Sequence, residues 1–565
     1  AASGIELAEQ KQAAARDDLI ERFDLSVTHL RLTAVELRDR TDIEDELVAE
    51  HEWLLHPNQA DLRLRGNLFT IEDVLTGDAL VCVKEAPLPA IRPVPCEADL
   101  HLSGTPACYY AKQPTAQFDH RHPAWPLAYA LALHGHGLGR DDDGPDQADE
   151  PVPAGYRHTL ILARGGQAGC SAALQQWSRR LRPPHPARDG LLLSNTWGDR
   201  SRDARVCEDF VAAEIAAGAR LGIDVVQIDD GWQAGTTSNS VDAKAKGGVW
   251  EGFRSAGDFW APHPQRFPRG LAPVATAAEA AGSRLGLWFA PDSATDFAHW
   301  REDAATILDL HRRWRVGHVK IDGVKIRSRR GERNLHRFFR RVLRESGGAV
   351  TFDLDVTAES RPGYLGLVGA GPLFVENRYS DFHRWWPHHT LRNLWTLARW
   401  LDAQRLRMEF LNPARNAALY ANDPLAPSAW PPAALFALVM ASSPLAWCEV
   451  SNLPPAVTRD LAPLITLWRH HRSAFQSGTI LPIGERPDGT AWTGFCSLGG
   501  AAGSYLLLIR ELNDRRDCLW RLDGPLADLG GTVEILAGDG SCTVHAGRVI
   551  AAIPQPLGFL FARIV

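Results

Sequence analysis

The sequence contains no long hydrophobic segment and no concentration of positive charge. Among its 565 residues, no apolar run approaches the roughly 20 positions that a membrane-spanning helix needs. The formal net charge is −7, and the Lys and Arg residues are scattered along the chain. These absences argue against a membrane partner and a nucleic-acid partner, and they favour a neutral ligand.

Motifs that hold metals or build disulfide frameworks are missing as well. The nine cysteines are dispersed, and there is no CxxC pair, no Cys/His cluster at zinc-finger spacing and no HExxH segment. We therefore expect no metal and no cofactor. Most cysteines should be buried or free thiols, and the alternative is one or two disulfides, such as Cys82 with Cys96 or Cys108. Structural or substrate-contact roles outweigh metal binding for the densest histidines, His383, His388 and His389.

The centre of the chain holds eight short apolar runs, each ending in a polar or aromatic residue. They are Leu191–Trp197, Ile223–Asp229, Leu285–Ala290, Gly317–Asp322, Ala349–Asp355, Pro372–Asn377, Arg405–Asn412 and Phe436–Trp447. Their starts lie roughly 23 to 33 residues apart, with one gap of about 60, which suits a strand, a crossover helix and two loops. Between them, Glu208–Leu221 and Arg333–Glu345 carry apolar residues at helical spacing. The spacing predicts an α/β fold with a closed parallel (β/α)8 barrel.

In such a barrel the carboxyl ends of the strands converge on one pocket, so polar residues there are candidates for chemistry. The polar or aromatic residues near the ends of the runs are Asn195, Trp197, Asp229, Asp230, Lys320, Asp322, Asp353, Asp355, Glu376 and Asn377.

The segments on either side of the barrel are typical of β-structure. LRLTAVEL, LVCVKEAPL and HTLILAR predict strands of an amino-terminal β-sandwich over residues 1–185, with a flexible acidic loop at Asp141–Pro151 and a helix in the first twenty or so residues. GTILPIG, AWTGFCSL, SYLLLIREL, TVEILAG, TVHAGRVIAAI and LGFLFARIV predict a small antiparallel β-domain over 479–565. The barrel itself is expected over 186–478.

Two aspartates suit the cleavage of a glycosidic bond, which needs two carboxyl groups flanking the anomeric carbon. Asp322 ends the fourth run two residues after Lys320, so both side chains should point to the same side, and the lysine keeps the carboxylate ionised as a nucleophile. Asp381 precedes Trp385 and Trp386, which could raise a carboxyl pKa for general-acid work. Alternatively, Asp322 only pairs with Lys320, and Asp381 caps a helix.

A second pair of carboxylates ends the second run. Asp229 and Asp230 could bind vicinal hydroxyls while Trp232 packs on the apolar face of a sugar; the alternative is a tight turn with Trp232 in the core. Ligand binding is favoured, because two adjacent unpaired carboxylates are costly to bury. Trp197 and Trp288 suit sugar contact and barrel-end packing equally. The high count of 19 tryptophans also favours a neutral sugar as ligand.

The segments NTWGD, IDDGWQ, LGLWFAPD, HVKIDG and YSD occur in this order over roughly residues 190–395. The ordered set resembles the retaining α-galactosidases of glycoside hydrolase family 36 and their clan relatives. The resemblance implies a β-sandwich before the barrel, a β-domain after it, Asp322 as nucleophile and Asp381 as acid/base. It also implies a sugar site containing Asp229, Asp230, Trp197 and Lys320.

This chain departs from the family pattern at two places. DVTAESRPGY replaces the Cys-Ser-Gly-Gly-Gly-Arg stretch after the fifth strand, so only Arg361 has a counterpart, and Phe-His-Arg-Trp-Trp replaces the Asn-Thr-Asp that usually follows the Ser-Asp pair. The departures predict a divergent member whose glycone can differ from galactose.

The expected function is a retaining, exo-acting α-glycosidase for an oligosaccharide or glycoside. Within the enzyme class, the alternatives are a transglycosylase of the raffinose-synthase type and a glycosidase for glucose, N-acetylgalactosamine or L-arabinopyranose. From other classes they are a carbohydrate-binding protein on an inactive barrel and a metal-dependent barrel hydrolase. A homo-oligomer is one possible assembly.

Overall fold

The computed structural model describes residues 7–11, 20–27, 30–37, 47–55, 61–86, 99–106, 127–134, 156–199, 201–356, 363–375 and 385–565. Among these residues, no helix has both the length and the apolar composition needed to cross a membrane.

Ten strands before residue 164 form two five-stranded antiparallel sheets. They are β1 (Leu7–Lys11), β2 (Ile20–Val27), β3 (Leu30–Leu37), β4 (Val48–Leu55), β5 (Asp61–Leu64), β6 (Leu68–Asp73), β7 (Ala79–Lys84), β8 (Leu100–Pro106), β9 (Leu127–His134) and β10 (His158–Ala163). The strand orders are β1-β2-β9-β8-β5 and β10-β7-β6-β3-β4. Leu100 and Leu133 of the first sheet join Leu32, Phe69 and Leu80 of the second in one buried cluster, which makes the pair a β-sandwich.

One expectation for this region is wrong. Residues Leu7–Lys11, expected to be helical, form β1 and pair antiparallel with β2, because partner strands override a composition that suits a helix. Cys82 on β7 is a buried free thiol, as expected for most of the cysteines, so the alternative in which it forms a disulfide is wrong. Cys96, Cys108 and the acidic segment Asp141–Pro151 lie outside the described residues.

Eight parallel strands close into a barrel, which confirms the predicted fold. They are β11 (Leu193–Asn195), β12 (Val225–Ile228), β13 (Arg284–Phe289), β14 (His318–Ile321), β15 (Thr351–Asp355), β16 (Leu373–Phe374), β17 (Leu406–Phe410) and β18 (Ser443–Ala446). Each strand pairs with the next, and β18 pairs with β11. Seven of these strands fall within the predicted runs, and β13 begins one residue before its run, at Arg284.

The helices are α1 (Gly166–Leu181), α2 (Glu208–Leu221), α3 (Ala243–Lys246), α4 (Ala272–Ala280), α5 (Trp300–Trp314), α6 (Arg329–Glu345), α7 (Pro387–Ala398), α8 (Pro432–Ala437) and α9 (Pro455–Ser477). Helix α2 has the predicted bounds. Helix α6 begins before the predicted residue, where the Ser328 hydroxyl caps it by accepting a bond from the Gly331 amide. The eighth run was expected to be one strand, but its first residues belong to α8. Periodicity alone cannot separate a buried strand from a buried helix in an apolar run.

Eight strands follow the last helix: β19 (Thr479–Gly484), β20 (Trp492–Gly500), β21 (Gly503–Arg510), β22 (Asp517–Arg521), β23 (Val533–Gly538), β24 (Ser541–His545), β25 (Arg548–Ala552) and β26 (Gly558–Ile564). They form antiparallel sheets in the orders β19-β20-β21-β26-β23 and β22-β25-β24. Every predicted strand run here contains a strand, although TVHAGRVIAAI is the hairpin of β24 and β25. Its turn residues Ala546 and Gly547 both have positive φ angles. The sequence analysis missed β22. The boundaries of the three domains stay predictions.

Candidate active site

Lys320 lies inside the barrel between two carboxylates. Its Nζ is 3.1 Å from Asp229 Oδ2 and 3.9 Å from Asp322 Oδ2. The two contacts place Lys320 and Asp322 on the same side of the chain, as their spacing predicts. The ammonium also lies over the rings of Phe374 and Trp447, at 4.3 and 5.1 Å from their centroids. One cation thus links the ends of β12 and β14.

Asp322 follows β14 directly, at the carboxyl end of the barrel. The indole Nε1 of Trp288 donates to its Oδ2 at 3.0 Å, and the Gly323 amide donates to its Oδ1 at 2.6 Å. Both bonds favour the ionised carboxylate. The side chain is 13% exposed, against 3% for Asp229, so Asp322 is the more accessible of the two carboxylates beside Lys320. The arrangement holds an accessible carboxylate in one orientation, as a nucleophile requires.

Asp229 is held by groups from two strands. Its Oδ2 accepts a bond from Asn195 Nδ2 at 2.7 Å in addition to that from Lys320, and its Oδ1 accepts one from the Asp230 amide at 2.8 Å. Asn195 Nδ2 also donates to Gln227 Oε1 at 2.5 Å, while Asn195 Oδ1 accepts from the Trp197 amide. The sequence analysis missed Gln227, although its place two residues before Asp229 puts both on one face of β12.

Asp230 makes its contacts within its own loop. Gln233 Nε2 donates to Oδ1 at 2.7 Å, the Thr237 hydroxyl donates to Oδ2, and the residue is only 2% exposed. Burial raises the pKa of Asp230 to about 7, and the neighbouring Asp229 adds to the rise, whereas the Thr237 and Gln233 bonds oppose it. Asp230 therefore holds the loop after β12, and its contact with a sugar stays a prediction.

The tryptophans expected near the site form a packed group. Trp232 is fully buried, and its Nε1 donates to the carbonyl of Trp288 at 2.8 Å. Trp260 lies between them, with ring centroids 6.1 Å from Trp232 and 5.6 Å from Trp288. Trp197 is also buried. Trp288 contacts the candidate nucleophile, and sugar contact by Trp197, Trp232 and Trp288 stays a prediction.

Asp381, Arg361 and His383 lie outside the described residues, so their roles stay predictions. The two tryptophans that follow Asp381 are anchored: Trp385 Nε1 donates to Thr390 Oγ1 at 3.0 Å, and Trp386 Nε1 donates to Asp423 Oδ2 at 2.7 Å. Burial lowers the pKa of His388, at the start of α7, to about 4. Within the described part of the chain, no group of three or more His, Cys, Asp or Glu side chains could hold a metal ion.

A buried group of charged side chains lies inside the barrel next to Lys320. Its member on β14 is His318, which precedes Lys320 by two residues. Asp353, expected near a strand end, lies in the middle of β15, where Arg407 Nε donates to its Oδ2 at 3.0 Å and His318 Nε2 lies 2.9 Å from the same oxygen. These charges lower the pKa of Asp353 below its usual range, although burial opposes them. The sequence analysis missed Arg407 and also Glu409, which accepts a bond from Thr390 at 3.0 Å. Both residues lie on one face of β17. Their spacing of two positions in the sequence could have indicated this shared face.

Neither a scan against protein-family models nor a search of curated proteins gave a match. Solved structures do match along nearly the whole chain. A family 36 α-galactosidase from Geobacillus stearothermophilus is 12% identical with a TM-score of 0.60, covering 96% of this chain and 78% of that one. The α-galactosidase from Lactobacillus brevis is 13% identical with a TM-score of 0.64, covering 97% and 76%. A variant of the Geobacillus enzyme in complex with stachyose is 12% identical with a TM-score of 0.62, covering 96% and 78%. The likeness shows that this chain has their fold.

Proposed function

We propose that this protein is a retaining, exo-acting α-glycosidase of the α-galactosidase type. The observation that carries the proposal is the Asp322 carboxylate, which is accessible, oriented by Trp288 and Gly323, and placed at the carboxyl end of β14 beside Lys320. The family resemblance of the sequence points to the same residue. The substrate would be a terminal α-linked sugar on an oligosaccharide or glycoside. The stachyose complex of the Geobacillus enzyme supports a substrate of this class.

In the first step, an oxygen of Asp322 attacks the anomeric carbon and the bond to the leaving group breaks. The leaving oxygen takes a proton from Asp381, and a covalent glycosyl-aspartate forms on Asp322. In the second step, Asp381 removes a proton from water, the water oxygen attacks the anomeric carbon, and Asp322 leaves. Two inversions return the original anomeric configuration.

The neighbours of Asp322 serve this mechanism electrostatically. The Lys320 ammonium lies between Asp322 and Asp229, so its positive charge offsets the repulsion between the two carboxylates. Asp229, fixed by Asn195 and Lys320, would accept bonds from sugar hydroxyls. No cofactor takes part in this scheme.

Chemical rescue tests the proposal. Wild type, Asp322→Ala and Asp381→Ala would be assayed on α-nitrophenyl glycosides of galactose, glucose, N-acetylgalactosamine and L-arabinopyranose, with and without azide. Asp309→Ala, which changes an exposed carboxylate on α5, is the matched control. We expect wild type and control to hydrolyse one glycoside. Azide should rescue Asp322→Ala with a β-glycosyl azide and Asp381→Ala with an α-glycosyl azide.

The anomer identifies the role, because azide enters directly when the nucleophile is missing but attacks the glycosyl-enzyme when the acid/base is missing. Full activity in Asp322→Ala would refute the proposed nucleophile. If wild type hydrolyses none of the glycosides but transfers galactosyl groups between sugars, the transglycosylase would be favoured. Binding of sugars without any turnover would favour the carbohydrate-binding protein.

A further inference from the structure

Arg405 is a buried cation at the amino-terminal end of the barrel, directly before β17 and on the opposite end from Asp322. The residue is 5% exposed, and its Nε, Nη1 and Nη2 atoms have no hydrogen-bond partner among the described residues. Burial lowers the pKa of Arg405 to about 10, so the guanidinium still carries its charge at neutral pH. Buried polar groups are nearly always hydrogen-bonded, and a buried unpaired charge is costly. We therefore expect a hydrogen-bond acceptor next to this guanidinium.

The nearby carboxylates already bind other arginines. Asp402 accepts bonds from Arg179 Nε at 2.7 Å and from Arg179 Nη2 at 3.3 Å. Asp189 accepts bonds from Arg182 Nη1 at 2.5 Å and from Arg188 Nη2 at 2.8 Å. Asp353, whose charge also acts on Arg182, is already paired with Arg407. Among the described residues, Arg405, Arg179, Arg182 and Arg188 therefore share the carboxylates of Asp402 and Asp189, which leaves an excess of positive charge.

The charge on Arg182 adds to the repulsion that Arg405 experiences. Water could accept the guanidinium N–H bonds but would leave the excess charge in place. An anion would satisfy both the hydrogen bonds and the charge.

We propose that the Arg405 guanidinium binds a small monovalent anion of the chloride class. The anion neutralises part of the excess charge and supplies acceptors for Nε, Nη1 and Nη2. It thereby holds the start of β17 against the segment that contains Arg182 and Asp189. A ligand that binds only the folded protein stabilises it, so thermal stability should depend on the anion supplied.

Two experiments test the site. In crystals of the full chain grown with bromide in place of chloride, anomalous difference density should appear beside the Arg405 guanidinium. In parallel, the unfolding midpoint would be followed in chloride and in gluconate at constant ionic strength for wild type, Arg405→Met and Arg344→Met. Arg344 is 78% exposed and is the matched control. We expect chloride to raise the midpoint of wild type and Arg344→Met, and this rise should be lost in Arg405→Met.

Water density at the guanidinium with no bromide peak would overturn the proposal. A bromide peak together with the same chloride response in all three proteins would mean an adventitious ion only, which also overturns it. If Arg405→Met does not fold, Arg405→Lys replaces it; the lysine keeps the charge but loses the planar donor set, so its chloride response should be weaker than that of wild type.

Discussion

The Lys320 ammonium lies 3.1 Å from the carboxylate of Asp229, a residue 91 positions earlier in the chain. Lys320 was expected to pair with Asp322, whose Oδ2 is 3.9 Å away. The buried bond to Asp229 ties β14 to β12, while Asp322 keeps its orientation through Trp288 and Gly323. Lys320 thus supplies charge to both carboxylates without closing off Asp322.

Replacing Lys320 with methionine should strongly destabilise the fold. The change leaves Asp229 buried without its cation, and removing one member of a buried pair costs about 3–5 kcal/mol. Urea unfolding of wild type and Lys320→Met would measure the loss in the free energy of unfolding. The control is Lys246→Met, whose exposed pair with Asp242 should contribute no more than about 1 kcal/mol. Equal shifts of the two urea midpoints would contradict this interpretation of Lys320.

Replacing Trp288 with phenylalanine should lower kcat/KM on the glycoside that wild type cleaves. The variant loses the N–H bond to Asp322, and a hydrogen bond to a charged group contributes about 1.5–3 kcal/mol, which corresponds to a fall of about 10- to 150-fold.

Trp260→Phe is the matched control for Trp288→Phe, because Trp260 packs against Trp288 and its Nε1 has no hydrogen-bond partner among the described residues. This control should keep kcat/KM near the wild-type value. Similar losses in both variants would mean that Trp288 acts through packing alone.

Replacing Asp230 with asparagine should make the free energy of unfolding depend less on pH between pH 4 and pH 7. The pKa of Asp230 is about 7 in the folded protein, raised by burial from 3.8. Between these pH values the folded state binds one proton more than the unfolded state, so this group makes the protein less stable as pH rises, by roughly 1.4 kcal/mol per pH unit. Asparagine resembles the neutral acid and does not titrate.

The free energy of unfolding of Asp230→Asn relative to wild type should therefore grow between pH 4 and pH 7. Chemical unfolding at several pH values, with the exposed Asp309→Asn as control, would measure it. A difference that stays constant over this range would show that Asp230 does not titrate there.

Replacing Gly198 with alanine should disturb the junction between the first and last strands of the barrel. A Cβ at this position would lie 2.0 Å from the carbonyl oxygen of Trp447, which is backbone and cannot rotate away. Overpacking of this kind costs about 1–3 kcal/mol, and Trp447 also contacts Lys320, so both the unfolding midpoint and the activity should fall.

The matched control is Gly369→Ala, whose Cβ would meet its nearest atom, the Leu181 carbonyl oxygen, at an ordinary 3.8 Å. Its midpoint and activity should stay near those of wild type. An unchanged unfolding midpoint in Gly198→Ala would contradict this prediction. It would mean that the backbone after β11 can move away from Trp447 at little cost.

By itself, the sequence determined the barrel and the flanking β-structure. Buried parallel strands need continuous apolar runs, and a strand with its crossover helix needs a nearly constant length, so both leave a direct mark in the chain. It also placed Lys320 and Asp322 on one side, because alternation along an extended segment is local geometry.

Only the tertiary structure decided which charges meet. The pairing of Lys320 with Asp229, the turn of Asp230 into its own loop and the charged group around Asp353 all join residues that are brought together by barrel closure or by side-chain rotation. The strand at Leu7–Lys11 likewise exists through its pairing with β2. Hydrogen bonds and ion pairs depend on distances of a few ångströms, and residues far apart in the chain acquire such distances only when the fold is complete.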